Sequence, residues 1–177
     1  FGGSVAISGD TVVVGAYGAE SVYVFVKPAN GWKSTSTYAA KLTTLGGAKL
    51  FGSSVVLKGD TVAVGAPQDD VGDNYDQGAV YIFDKPSDNW ITTSNYTARL
   101  TAQDGTLNDH FGGSVAMTDD TIVVGATGVF YYSNHAAYIY KKPLNGWATT
   151  SNYTAKLTAS GTNDYFFGRS VSISNNT

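Results

Sequence analysis

Residues 51–66 read FGSSVVLKGDTVAVGA, and three other stretches repeat them: FGGSVAISGDTVVVGA from Phe1, FGGSVAMTDDTIVVGA from Phe111, and the shorter FGRSVSISNNT from Phe167. Self-similarity at a regular period marks an array of like units, each unable to bury its own apolar face alone. The starts lie 50, 60 and 56 residues apart, so the common core is held constant and the length differences fall in loops. Spacing of this size suits a four-stranded unit with long connections.

Each unit divides by its periodicity. Ser4 to Ser8 alternates, with Val5 and Ile7 on one face. Gly9-Asp10 then separates two apolar runs, the place of a two-residue hairpin turn with positive φ; Gly59-Asp60 repeats it, and Thr118-Asp119-Asp120 does so less ideally. Thr11 to Ala16 is apolar up to its glycine, as expected of a strand covered on both faces. A third strand, residues 21–26, 79–83 and 137–140, alternates aromatic with aliphatic residues. Lys27-Pro28, Lys85-Pro86 and Lys142-Pro143 end it, because proline cannot donate to a ladder. The following connection carries Trp32, Trp90 or Trp147, read as a cap over an apolar layer, and leads to a fourth strand near residues 38–43, 96–101 and 153–158.

Composition agrees with an all-β chain. Glycine (21) and tyrosine (12) are abundant, as strands and tight turns require. Only 14% of residues are charged and the net charge is −3, which offers no basic field to a nucleic acid. Absence of cysteine excludes disulfides, thiolate metal sites and thiol nucleophiles. No apolar run is long enough for a spanning helix, so direct membrane insertion is not expected. The first residues lack the form of a signal peptide and begin within a repeat, the expectation for a fragment or processed product.

The order Phe-Gly-x-Ser-Val, Gly-Asp-Thr-Val, Val-Gly-Ala-Pro and Val-Tyr-x-Phe between Phe51 and Phe83 resembles the FG-GAP repeat of integrin α-subunit propellers and of bacterial surface proteins. Gly-Ala-Pro itself stands only at residues 65–67. The resemblance implies a β-propeller whose blades are four antiparallel strands: residues 1–50, 51–110 and 111–166 form three blades, and 167–177 the opening strand of a fourth. Three blades cannot close such a ring, so further repeats or identical chains are the expected neighbours. It also implies an extracellular or cell-surface location and a non-enzymatic structural or adhesive role, binding a protein or glycan through variable loops. The rival readings are a subunit that joins blade to blade into a ring or filament, and an accessory domain of a larger secreted enzyme.

Integrin-like propellers place an Asp-rich calcium loop between the first two strands; here that connection has shrunk to a turn that cannot supply six to eight oxygens. A different acidic stretch carries Asp69, Asp70, Asp73 and Asp76. It reads either as a calcium loop of another kind or, preferably, as a solvated turn whose side chains bond their own backbone. No cofactor is otherwise implied. No catalytic set emerges: His110 and His135 lack a nucleophile in a recognised pattern, and His110 occupies the position held by Leu50 and Phe166 in other repeats. Phe130, Tyr131, Tyr132 and His135 lie in the aromatic loop after the second strand of the third unit, as contact surface for a partner or as packing on a neighbouring blade. Asn95 and Asn152 head Asn-x-Thr triplets at one point of two repeats, glycan acceptors in a eukaryotic secretory protein and copied polar turns otherwise.

Overall fold

A computed structural model of the chain describes residues 1–128, 135–160 and 166–174. Twelve strands are present among them: β1 (Ser4–Ser8), β2 (Thr11–Ala16), β3 (Ser21–Val26), β4 (Ala40–Leu42), β5 (Ser54–Lys58), β6 (Thr61–Ala66), β7 (Ala79–Asp84), β8 (Ala98–Leu100), β9 (Phe111–Met117), β10 (Thr121–Ala126), β11 (Ala136–Lys141) and β12 (Ala155–Thr158). They form three separate four-stranded antiparallel sheets in the orders β1-β2-β3-β4, β5-β6-β7-β8 and β9-β10-β11-β12. These sheets are blades that do not close into a ring.

The expected local chemistry is present. Gly9 and Gly59 turn the first two hairpins with φ of 56° and 55°, values that an L side chain adopts only at a cost. The β1–β2 register runs from Ser4 opposite Gly15 to Ser8 opposite Thr11, and the β5–β6 register copies it from Ser54 opposite Gly65. Second strands are the most deeply covered: β10 is buried along its whole length, and β6 everywhere but its first residue. An irregularity between Gly125 and Ala126 lengthens β9, so that Phe111 pairs with Ala126.

Successive first strands lie against one another, β1 on β5 and β5 on β9, which makes them the inner edge of the array. Two apolar layers fill the gaps between blades. Val13, Val24 and Leu42 of the first blade meet Phe51, Val64 and Phe83 of the second. Val80, Ile82 and Leu100 of the second meet Phe111, Val124 and Tyr140 of the third. Lys27, Lys85 and Lys142, at the ends of the third strands, donate backbone N–H groups to Asp10, Asp60 and Asp120. The first turns and the proline connections therefore share a lower loop face. The connections after second and fourth strands form the upper one, where Asn108 and His110 donate N–H groups to the Tyr75 and Asp76 carbonyls.

Residues 166–174 follow the third blade without forming a ladder. Gly168 takes the seat on the third blade that Gly52 takes on the first, and Ile173 and Ser174 come down beside the β9–β10 turn. The opening strand of a fourth repeat anticipated from sequence is not formed as a strand over residues 166–174, which have no partner to pair with among the described residues.

Candidate functional site

The Phe-Gly pair and the Val-Gly-Ala stretch are the two halves of one contact, made between neighbouring repeats. Gly52, at φ 93°, carries its carbonyl onto the first blade, where the Ser4 hydroxyl donates to it at 2.8 Å. A Cβ on Gly15 would collide with that carbonyl and with Ser4 Oγ. Ser54 donates to Gly112 and Ser114 to Gly168, each at 2.8 Å, with Gly65 and Gly125 as the bare floors. Serine, floor glycine and incoming glycine therefore recur because a backbone carbonyl must pass where a side chain would stand.

A second contact closes the outer edge. Thr93 N–H donates to the Lys41 carbonyl at 3.0 Å, and Thr43 N–H to the Thr93 carbonyl at 3.1 Å, a parallel bridge from β4 to the next blade. Thr150 repeats it on β8, donating to the Arg99 carbonyl at 3.1 Å. Trp90 and Trp147 lie over these seams, buried to 6% and 7% exposure, as the capping expectation requires; Trp32 of the first blade is 46% exposed. Grooves of about 230 and 330 Å³ run under the two buried rings, flanked by Pro86 and Asn95 at one seam and by Pro143 and Asn152 at the other. Both sequon asparagines are exposed on the lower loop face.

Every blade also carries one aromatic stack with a cation. Tyr23, Tyr81 and Tyr138 of the third strands meet Tyr38, Tyr96 and Tyr153 edge-on, with centroids 5.0, 4.9 and 5.1 Å apart. Directly opposite in register stand Lys41, Arg99 and Lys156, each over its tyrosine ring at 5.7, 5.7 and 5.2 Å. The acid that balances the cation comes from different loops. In the second blade it is Asp69, bound by Arg99 Nη2 at 2.6 Å and by the Tyr81 hydroxyl at 2.7 Å. In the third it is Asp104, 2.7 Å from Lys156 Nζ. Burial, then the hydrogen bond to Asp69, pushes the Tyr81 phenol well above its ordinary value.

The acidic stretch is consequently divided. Asp69 is committed to Arg99 and Tyr81. Asp70 accepts from Lys49 Nζ at 2.8 Å and from the Asp76 N–H at 3.0 Å, and these two bonds hold its carboxyl below its ordinary range. Asp76 is 3.8 Å from the same lysine, and Asp73 is exposed. Among the described residues no group of three or more acidic, histidine or cysteine side chains is placed to hold a metal ion. What the loop does instead is brace the upper face: buried Gln77 donates to the Ala102 carbonyl at 2.9 Å and accepts from Asn74 Nδ2 at 2.9 Å. Arg99, Lys49 and Gln77 escaped the sequence reading because their bonds to Asp69, Asp70 and the Ala102 carbonyl span 30, 21 and 25 residues.

His110 has a backbone duty. Its φ of 53° matches the 58° of Leu50, so the residue before each internal Phe-Gly pair adopts the left-handed conformation that starts the kink. Burial lowers its imidazole pKa despite Asp76 and Asp109 nearby. Of the aromatic loop, Phe130, Tyr131 and Tyr132 lie outside the described residues; His135, half-buried, stands just before β11.

The chain spans 35% of a computationally designed protein, Ika8, which it resembles with 14% identity over 87% of its own length and a TM-score of 0.50, a likeness of fold alone. It covers 33% of the hydrazine synthase of Kuenenia stuttgartiensis with 78% of its own length, at 12% identity and a TM-score of 0.46. No curated protein matches it. The model of the FG-GAP repeat matches residues 1–25, 37–83 and 95–140, each segment bringing a first-strand kink, a floor glycine and a third-strand aromatic. The chain belongs to the FG-GAP repeat family.

Proposed function

We propose that this β-propeller-like module is a non-enzymatic structural and adhesive element, extracellular or at the cell surface, that recognises a protein or glycan through its upper loop face. One observation carries the proposal: the serine–glycine contact and the threonine bridge repeat from one seam to the next, whereas the upper loops do not. The connection after β2 is a single tight turn at Tyr17–Ala19. The one after β6 is a braced acidic loop that leaves Tyr75 65% exposed. Variation on a rigid frame is how loop-borne recognition is usually built. His110 serves the kink, which supports a scaffold role for it in place of acid–base duty.

Binding of the full chain to a glycan array, and to immobilised candidate surface proteins, tests the proposal. Replacing Tyr75, Phe130, Tyr131 and Tyr132 together with alanine should abolish any selective binding while leaving the melting temperature unchanged. Binding that survives the replacement, or that follows the lower face instead, overturns it.

A further inference from the structure

The lower loop face repeats a feature that neither the blades nor their seams require. Asn95 and Asn152 each stand two residues after a threonine, and their backbone N–H groups donate to the Thr93 and Thr150 hydroxyls at 3.0 Å. In the first repeat the same turn forms on Thr37, whose N–H donates to the Thr35 hydroxyl at 2.9 Å. The turn therefore asks nothing of an asparagine side chain, and among the described residues the Asn95 and Asn152 amides hydrogen-bond to nothing. Both asparagines head Asn-Tyr-Thr where the first repeat reads Thr-Tyr-Ala, so amide and hydroxyl are present or absent together. Each exposed amide also borders a groove: Asn95 the one of about 230 Å³ beneath Trp90, and Asn152 the one of about 330 Å³ beneath Trp147. The buried Trp90 indole N–H at the first groove has no acceptor among the described residues, a costly state for a donor.

We propose that Asn95 and Asn152 carry N-linked glycans and that the first N-acetylglucosamine of each lies in the adjoining groove, against Trp90 and Trp147. The inference rests on the extracellular reading above, since an Asn-x-Thr triplet is an acceptor in the secretory pathway. Transfer joins the amide nitrogen to the anomeric carbon of a lipid-diphosphate oligosaccharide: a C–N bond forms, the C–O bond to the diphosphate breaks, and the amide gives up one proton as the lipid diphosphate leaves. A sugar attached at the groove's edge is already at high local concentration there, so its seating needs little intrinsic affinity. Its ring offers apolar C–H surface to the tryptophan, and its acetamide carbonyl offers an acceptor to the indole N–H. Each groove lies on the bridge from a fourth strand to the next blade, Leu42 to Thr93 at one seam and Leu100 to Thr150 at the other. The sugar thus covers the outer seam and leaves the upper loops bare.

Intact mass and thermal melting of the full chain, secreted from cultured eukaryotic cells, test the inference. Two glycans should be present, one lost in Asn95→Gln and the other in Asn152→Gln. Trimming each glycan to a single N-acetylglucosamine should leave the melting temperature unchanged, whereas complete enzymatic removal should lower it by about 2–4 °C. The same two substitutions in sugar-free chain made in bacteria should not move the melt, which assigns the loss to the sugar. A glycan missing from either site, a melt indifferent to complete removal, or a fall already complete on trimming would overturn the inference. An unglycosylated secreted chain that still binds through its upper loops would sink this inference alone, and a glycosylated chain that binds nothing would sink only the proposed function.

Discussion

Glycines of two kinds stand one strand apart, and they should fail differently. Gly65 has ordinary strand geometry, but a methyl there would strike the Gly112 carbonyl and Ser54 Oγ. Gly65→Ala is therefore expected to cost about 1–3 kcal/mol by overpacking. At Gly59 there is open space but a φ of 55°; Gly59→Ala should cost less, because strain of about 1 kcal/mol is partly offset by a stiffer unfolded chain. Urea unfolding of the two variants beside the parent protein checks the order. The letters of this contact were legible in the sequence, since Phe-Gly-x-Ser and Val-Gly-Ala stood out at once. Their meaning was not: Ser54 meets Gly112 across 58 residues, and no local pattern says that one repeat's serine serves the next repeat's glycine.

The strands themselves were nearly all readable, because alternation, Gly-Asp turns and Lys-Pro stops are local physics. What escaped was the use of a connection as structure. The threonines after Trp90 and Trp147 read as polar turns, yet their backbones bridge to the preceding blade. The same dependence on neighbours sets the value of each Phe-Gly aromatic. Phe111 is fully buried, edge-on to Tyr138 and Tyr140 at 5.5 and 6.0 Å. Phe111→Ala should destabilise the chain by about 3–5 kcal/mol. Phe1 makes the same kind of contact with Tyr23 at 5.5 Å but is 81% exposed in this chain, so Phe1→Ala in this chain should stay within about 0.5 kcal/mol of the parent. A denaturant series on both variants measures the contrast.

Across the whole molecule, ionisable groups define a stability plateau. Asp120 is held at about 2 by the Thr121 hydroxyl and Lys141, below the ordinary 3.8. Asp70 is lowered by Lys49 and the Asp76 N–H. Groups depressed in the folded state stabilise it above their unfolded pKa, and that contribution is lost as pH falls from 3.8 toward 2. His110 is depressed from 6.5 by burial, so its share is lost as pH falls below that value. Tyr81, Tyr138 and Tyr140 are raised above 10.0, chiefly by burial; above pH 10.0 the unfolded tyrosines ionise first and stability falls again. Thermal melts across pH should therefore be highest and flat between about 6.5 and 10.

Adjacent blades are pinned at two radii, by the serine–glycine contact inside and the threonine bridge outside. Two pins at different distances from a centre fix the wedge angle between neighbouring sheets, and the wedge angle fixes how many sheets complete a circumference. Blade number is then a ratio of two short lengths, the reach of Ser4, Ser54 or Ser114 to a carbonyl and the reach of the Thr93 or Thr150 segment to a fourth strand. A residue inserted between Trp90 and Thr93 would slacken the outer pin of that one seam and open the wedge between the first and second blades.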